Sequence, residues 1–173
     1  MGSTSYCPDA ELIFDPFHLM KMLNKAVDEV RRQETVMGSG AVQTALKQTR
    51  QMWLWGEENL PERHAARFEA LKGSTLKTAR AWRLKELWRT FKRCLDVDDA
   101  HAFFHKWYVL AMQSKLEPVK KVARTFQAHL AGIVSSRIQL LMQKSCGYRN
   151  RQRLKTDILF HFGGLNMDPL AAQ

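Results

Sequence analysis

The chain has 173 residues, enough for a single domain with a buried core, and its 45% hydrophobic content with five Trp and nine Phe excludes wholesale disorder. Its 27 Lys and Arg against 17 Asp and Glu give a net charge of +10, which favours a polyanionic partner, nucleic acid first and an anionic membrane surface second. No apolar run is long enough to span a membrane, and the first residues lack a signal-peptide pattern, so we expect a cytoplasmic protein.

An apolar run over residues 11–14 ends at Asp15 and turns directly into a helix. Pro16 fits the first turn of that helix, which begins near Phe17. Two interpretations of Asp15 stay open. Its carboxylate is either an N-cap that accepts backbone N–H bonds, or a metal ligand at a strand end as in α/β nucleases.

The first two predicted helices are amphipathic. A helix over 17–34 places charged residues, Asp28 among them, opposite its apolar face. After Gly38-Ser-Gly40 a second helix is predicted from Ala41 to about Trp55, and a loop follows over 56–61. The apolar face of the first helix consists of Phe17, Met20, Leu23, Val27 and Val30.

Two further helices are predicted in the middle of the chain. A short one spans 62–72 and is closed by Gly73, and a long one runs from a cap at Ser74 or Thr75 through Leu95. Basic residues crowd the surface beside its apolar stripe, which predicts either a nucleic-acid contact or an ordinary solvated face. The stripe is Leu84, Leu87, Trp88, Phe91 and Leu95, and the basic residues are Lys77, Arg80, Arg83, Lys85, Arg89, Lys92 and Arg93.

An acidic turn at 96–99 precedes an aromatic-rich helix over 100–114. His101 and His105 lie four residues apart on one face of that helix, which makes a metal pair geometrically possible. No carboxylate or cysteine stands at ligand spacing, so ordinary histidines are the alternative interpretation.

The last third is also helical. A helix is predicted from Pro118 towards Ile133, another carries the stripe Ile138, Leu141 and Met142, and a last one spans 151–162. Helix continuity around Ser135 and Ser136 stays open. The predicted DNA-backbone contacts are basic, amide and aromatic side chains of this third: Lys115, Lys120, Lys121, Arg124, Arg137, Tyr148, Arg149, Asn150, Arg151 and Arg153. A capped, solvated helix start is the alternative for the last five.

The predicted fold is mainly α, a bundle of six to eight helices with at most one short strand near Leu12 to Phe14. We expect a flexible start over 1–8, one helical domain over 9–165 and a flexible tail over 166–173. Three widely spaced cysteines without a Cys-x-x-Cys pair indicate a reducing compartment and no structural zinc. The chain lacks the motifs of nucleophilic, P-loop and zinc enzymes, and its acids are too sparse for two-metal chemistry.

Several segments, taken together in this order, resemble a known family. They are Phe14-Asp-Pro-Phe-His18, Val27-Asp-Glu-Val-Arg-Arg32, Leu76-Lys-Thr-Ala-Arg80, Leu84-Lys-Glu86, Ser114 to Phe126, Ser136-Arg-Ile-Gln139, Gly147-Tyr-Arg-Asn150 and Gly163-Gly-Leu165. From Asp9 to Pro169 the chain resembles the C-terminal catalytic portion of bacterial insertion-sequence DDE transposases, most closely the ISL3 family.

The resemblance implies that Asp15 matches the second aspartate of the DDE triad, at a strand end of an RNase H-like sheet, and that the helical middle is the domain inserted in that sheet. Such enzymes hold two Mg²⁺ or Mn²⁺ ions for strand cleavage and joining. The family's first aspartate and its DNA- and zinc-binding N-terminus would lie upstream of this sequence. Near 133–137 the family has a longer segment with the triad glutamate, whereas no glutamate follows Glu117 here.

These departures predict a truncated, internally deleted transposase that binds DNA but does not cleave it, with Asp15 vestigial as a catalytic residue. Further expected partners are a second copy or a full-length transposase, with no small-molecule substrate and no membrane. No cofactor is expected. Mg²⁺ or Mn²⁺ follows from the resemblance only, with Asp15 as a metal ligand if a partner completes the site.

Two alternative functions stay open. One is a domesticated regulatory or protein-interaction module without DNA cleavage. The other is an active transposase that completes its site by assembling with other chains. In either case we expect a cytoplasmic bacterial protein, associated with the nucleoid if it is bound to DNA.

Overall fold

The computed structural model describes residues 15–144, with side chains described through residue 140. Within this range the chain forms eight α-helices, two short 3-10 turns and no strand, so the predicted mainly α bundle is confirmed. The helices are α1 (Pro16–Met37), α2 (Gly40–Leu46), α3 (Arg50–Leu54), α4 (Glu62–Lys72), α5 (Lys77–Arg89), α6 (Val97–Gln113), α7 (Glu117–Ala128) and α8 (Leu130–Lys144). The 3-10 turns are Glu57–Asn59 and Thr90–Arg93.

Helix α1 is the central element and packs against α2, α3, α5 and α7. Glu34, near its end, accepts hydrogen bonds from the backbone N–H groups of Lys77 and Thr78 at 2.7 and 2.8 Å. Leu76, at the N-cap position of α5, has no capping side chain. Because the first N–H groups of a helix lack partners within it, Glu34 provides the cap and fixes the end of α1 to the start of α5.

Buried aromatic side chains form most of the core. Trp53 and Trp82 pack on Phe68, with ring centroids 5.1 and 5.0 Å from it in edge-to-face geometry. On the other side of α5, Trp88 lies 4.7 Å from Trp107 and 4.6 Å from Phe126, measured between ring centroids. Pairs of this kind contribute roughly 0.5–1.5 kcal/mol beyond the area that they bury, so α5 is held on two sides.

The second predicted helix is broken, which corrects the prediction of a single helix from Ala41 to Trp55. The chain leaves α2 at Lys47 and passes through Gln48, whose φ is 60°. The Thr49 hydroxyl then donates to the Leu46 carbonyl at 2.7 Å and accepts from the Trp53 indole N–H at 3.1 Å. This local network replaces the helical hydrogen bonds across residues 47–49.

Two other helix boundaries differ from the prediction. The helix predicted through Leu95 ends at Arg89, and the 3-10 turn Thr90–Arg93 follows it. The helix that starts at Glu117 ends at Ala128 rather than near Ile133, because His129 interrupts it before α8 begins. Ser135 and Ser136 lie inside α8, so the helix is continuous there. The predicted helix over 151–162 and the strand near 12–14 fall outside the described residues.

Three side chains lie in environments opposite to those predicted. Phe17 is 84% exposed, and Leu19 takes its place in the buried stripe of α1. Asp28 and Lys85, predicted on charged surfaces, are buried. Both Asp28 and Lys85 have at least one polar partner from a distant part of the chain, which helical periodicity cannot show.

Lys85 forms hydrogen bonds with the end of α3. Its ammonium donates to the carbonyls of Trp53, Leu54 and Trp55 at 2.8, 3.2 and 2.9 Å. These are carbonyls that the helix itself leaves without partners. Burial lowers the pKa of Lys85 to about 8, against the opposing effect of Glu86.

Asp28 connects α1 to α3. The Nε and Nη2 of Arg31 donate to its Oδ1 at 3.0 and 2.9 Å, and the Nε of Arg50, the first residue of α3, donates to its Oδ2 at 3.3 Å. Burial disfavours the charged carboxylate, but the arginine hydrogen bonds and charges together outweigh it and lower the pKa of Asp28. The carboxylate is therefore ionised at neutral pH.

Candidate nucleic-acid interface

Asp15 is the N-cap of α1. Its Oδ1 accepts the Phe17 backbone N–H at 2.9 Å, and Pro16 follows as the first helical residue. The side chain is exposed. Of the two interpretations of Asp15, the structure therefore shows the N-cap.

The described residues do not fit a two-metal centre. Between residues 15 and 140 no three His, Cys, Asp or Glu side chains come together as metal ligands would. His101 and His105 are both exposed on α6 and have no third ligand in that range. Asp15 accordingly has no companion ligands for Mg²⁺ or Mn²⁺ in the part of the chain that the structure describes.

The predicted contacts on α7 are partly neutralised. Lys120 lies 2.5 Å from the Glu117 carboxylate, and Arg124 lies 3.7 Å from it. The hydrogen bond from Lys120 lowers the pKa of Glu117. Lys121 and Lys115 are exposed and form no ion pair with the described acids. This face carries four cations around one carboxylate.

Arg137, also predicted as a backbone contact, is half-buried. It donates an Nη2 hydrogen bond to the Lys92 carbonyl, and its Nε is buried without an acceptor in the described region. Burial lowers the pKa of this guanidinium. Arg137 therefore links α8 to the 3-10 turn after α5. The predicted contacts at 148–153 lie outside the described residues.

Helix α5 presents a cationic stripe for which a nucleic-acid contact was one of the two predicted interpretations, although its residues were not among the ten predicted DNA-backbone contacts. Lys77, Arg80 and Arg83 recur every three residues along one side of the helix, and all three are exposed. None pairs with an acidic side chain of the described region. In contrast, Lys85 is buried and Arg89 is bound to Glu58 and Glu86. The three-residue spacing was readable in the sequence, but the burial of the intervening residues was not.

An apolar groove lies between the start of α1, the end of α5 and α8. Its volume is about 480 Å³. It is lined by apolar side chains and edged by one acid and three cations: Phe17, Leu19, Met20, Trp88, Phe91, Ile133 and Leu140, with Asp15, Arg89, Lys92 and Arg137. The groove places the Asp15 carboxylate among cations rather than among other carboxylates.

Comparison with known proteins assigns the chain to a class of enzyme and then to a family. Residues 2–158 match a family model described as a transposase. The family is that of the ISL3 DDE transposases, and because the match covers most of the chain, this protein belongs to it. Its function is therefore related to transposition. No curated protein and no solved structure matches the chain. Among the described helices, none is long and apolar enough to cross a membrane.

Proposed function

We propose that this protein binds double-stranded DNA in connection with transposition and does not cleave it. The observation that carries the proposal is the exposed stripe of Lys77, Arg80 and Arg83 on α5. Family membership supports DNA as the partner, and the net charge of +10 supports a polyanion in general.

The stripe suits the DNA backbone in length and charge. At about 1.5 Å per residue, Lys77 to Arg83 spans roughly 9 Å, while duplex DNA carries one negative charge per roughly 1.7 Å of axis. Three cations over this distance therefore face several phosphates. The Glu34 carboxylate contacts this end of α5, but it already accepts hydrogen bonds from the backbone N–H groups of Lys77 and Thr78.

The α7 face is a second proposed contact. Lys115 and Lys121 have no acidic partner among the described residues, while Lys120 and Arg124 share Glu117. Exposed ion pairs of this kind are weak and are readily exchanged for phosphate. We therefore expect a smaller contribution per residue from Lys120 and Arg124 than from the α5 stripe.

We propose the absence of cleavage because of the number and placement of the carboxylates. Two-metal phosphodiester chemistry needs several carboxylates around the ions. Asp15 caps α1, no three-ligand group occurs between residues 15 and 140, and the sequence after Glu117 contains no glutamate. Asp15 is in this view a structural residue.

Fluorescence anisotropy with a labelled duplex at several salt concentrations tests DNA binding. The triple variant Lys77→Gln, Arg80→Gln, Arg83→Gln should weaken binding by at least about tenfold and make the slope of log K against log salt shallower by about two to three. A matched control removes three exposed cations elsewhere: Lys25→Gln, Arg63→Gln and Lys106→Gln. Equal losses in the two triple variants would contradict the α5 interface, and no binding by the wild type would contradict the proposal as a whole.

A protein-interaction module is the second candidate, and the apolar groove favours it. Phe17, which lines the groove, is 84% exposed. Isolated exposed apolar residues are common, but an aromatic side chain at the mouth of an apolar groove is typical of docking sites. The partners in question are a second copy or a full-length transposase. A stoichiometric complex that persists in high salt and is lost in Phe17→Ser would support this candidate.

A further inference from the structure

Two exposed arginines converge on the buried carboxylate of Asp28. The Nε of Arg32 lies 3.3 Å from Oδ2 of Asp28, and the Nε of Arg50 lies 3.3 Å from the same oxygen. The two Nε atoms are therefore separated by no more than twice that distance. One arginine belongs to α1 and the other to α3, 18 positions later in the chain.

Both guanidinium groups keep their outer ends free. Each uses its Nε for Asp28, and neither Nη1 nor Nη2 of Arg32 or Arg50 has an acceptor among the described residues. The side chains are 63% and 58% exposed, whereas that of Asp28 is 9% exposed. The carboxylate thus holds two guanidinium groups in position while their terminal N–H groups face solvent.

The Asp28 cluster has a net positive charge, which favours binding of an anion. Arg31, Arg32 and Arg50 carry three positive charges around the single negative charge of Asp28. Arg31 forms hydrogen bonds only with Oδ1 of the carboxylate and is 15% exposed, whereas Oδ2 accepts from Arg50 and lies 3.3 Å from Arg32. These four side chains therefore keep a net charge of +2, and the exposed cations among them are Arg32 and Arg50.

The neighbouring loop adds cations and no carboxylate contacts. Lys47 is exposed and lies three residues before Arg50. Arg67 of α4 donates to the carbonyls of Ala45 and Lys47 at 3.4 and 2.9 Å, which holds this loop against α4. The positive surface therefore continues from the Asp28 cluster across the α2–α3 loop.

We infer that Arg32 and Arg50, held by Asp28, form a phosphate clamp that binds one phosphodiester group of the DNA backbone. Arginine N–H groups match phosphate oxygens in planar, charge-assisted hydrogen bonds. Because Asp28 fixes both side chains beforehand, less side-chain entropy is lost on binding than for free arginines. The inference deepens the proposed DNA-binding function and rests on it.

The test compares two double variants by anisotropy with the same duplex. Arg32→Gln with Arg50→Gln should weaken binding by about tenfold or more and make the salt slope shallower by about one, the value for one phosphate. The control, Arg63→Gln with Lys106→Gln, removes two exposed cations that Asp28 does not hold and should change affinity by less than about threefold. Thermal unfolding of both variants checks that the fold is intact.

A double variant with conservative substitutions gives an independent test of the clamp. Arg32→Lys with Arg50→Lys keeps the charge but loses the planar donor groups, so it should recover only part of the affinity. Full recovery, or equal effects of the clamp and control variants while the wild type binds DNA, would overturn the clamp alone. If the wild type did not bind DNA, both the proposed function and the clamp would be contradicted. More than tenfold inhibition by 10 mM inorganic phosphate at fixed ionic strength would assign the site to free phosphate instead.

Discussion

At the scale of single residues, the two least expected side chains are charged groups in the core. Asp28 is satisfied by Arg31 of its own helix and by Arg50 of α3, and Lys85 by the carbonyls at the end of α3. Buried charges are tolerated only with such partners. Both residues connect α3, a helix of a single turn, to the longer helices around it.

Replacing Lys85 should destabilise the fold. Lys85→Met removes the donor that the carbonyls of Trp53, Leu54 and Trp55 share, while Trp55 keeps the indole N–H of Trp82, and we expect a loss of about 2–4 kcal/mol in the free energy of unfolding. Urea denaturation measures it, with Lys106→Met, at an exposed site, as the control. A loss below about 0.5 kcal/mol would mean that the carbonyls do not need this donor.

The same residue predicts a pH dependence. Burial lowers the pKa of Lys85 from 10.5 to about 8. Between these two values the unfolded chain binds a proton that the folded chain has released, so the stability of the wild type should rise with pH in this window. Below pH 8 the group is protonated in both states and contributes no slope. The rise should be missing in Lys85→Met, and parallel pH profiles of the two proteins would contradict the assignment.

Asp15 should behave as a cap. Asp15→Ala removes the acceptor for the Phe17 N–H and should cost about 1 kcal/mol, while Asp15→Ser keeps an acceptor and should cost much less. Melting temperatures report both, with an expected difference of a few degrees. A loss of DNA affinity in Asp15→Ala at unchanged stability would point to a role beyond capping.

At the scale of elements, the loop between α2 and α3 holds Gln48 in the left-handed region, as the turn before α7 holds Lys115. Gln48 has a φ of 60°, a conformation that costs a residue with a side chain roughly 1–2 kcal/mol. Gln48→Gly should relieve part of this and leave stability equal or up to about 1 kcal/mol higher, whereas Gln51→Gly, inside α3, should lower it by about 1 kcal/mol. Chemical denaturation of the two glycine variants measures both changes in stability. Equal destabilisation by both changes would show that Gln48 is not strained.

Much of the helix layout could be predicted because its signals are local. The bounds of α4 follow from the apolar pattern between Pro61 and Gly73, and α1 follows from Pro16 and its apolar periodicity. The break at 47–49 could not be predicted, since Gln48 is not a residue that normally marks a positive φ. The break at His129 likewise has no glycine or proline to signal it.

The site was less predictable than the fold for a similar reason. Asp15 as a cap was readable from its neighbours, and the cationic character of α5 from its composition. The link between Arg50 and Asp28 joins residues 22 positions apart, and only the packing of α3 on α1 reveals it. Helical periodicity gives no information about contacts between residues so far apart in the chain.

At the scale of the whole molecule, exposed cations lie on several of the described helices, while many of the described acids are bound by groups of the fold. Glu34 caps α5, Asp28 holds arginines, and Glu58 and Glu86 bind Arg89. A carboxylate that is paired with a cation repels DNA less than an unpaired one. This distribution supports the proposed binding of DNA without cleavage in a member of a transposase family.

The most direct test follows one end-labelled linear duplex, with the protein and Mn²⁺, on a native gel and on a denaturing gel. The account predicts a shifted band on the native gel, dispersed by raising the salt concentration, and full-length strands on the denaturing gel. Metal-dependent cutting by the wild type that Asp15→Ala abolishes would contradict it, because a side chain that only caps α1 cannot support strand cleavage.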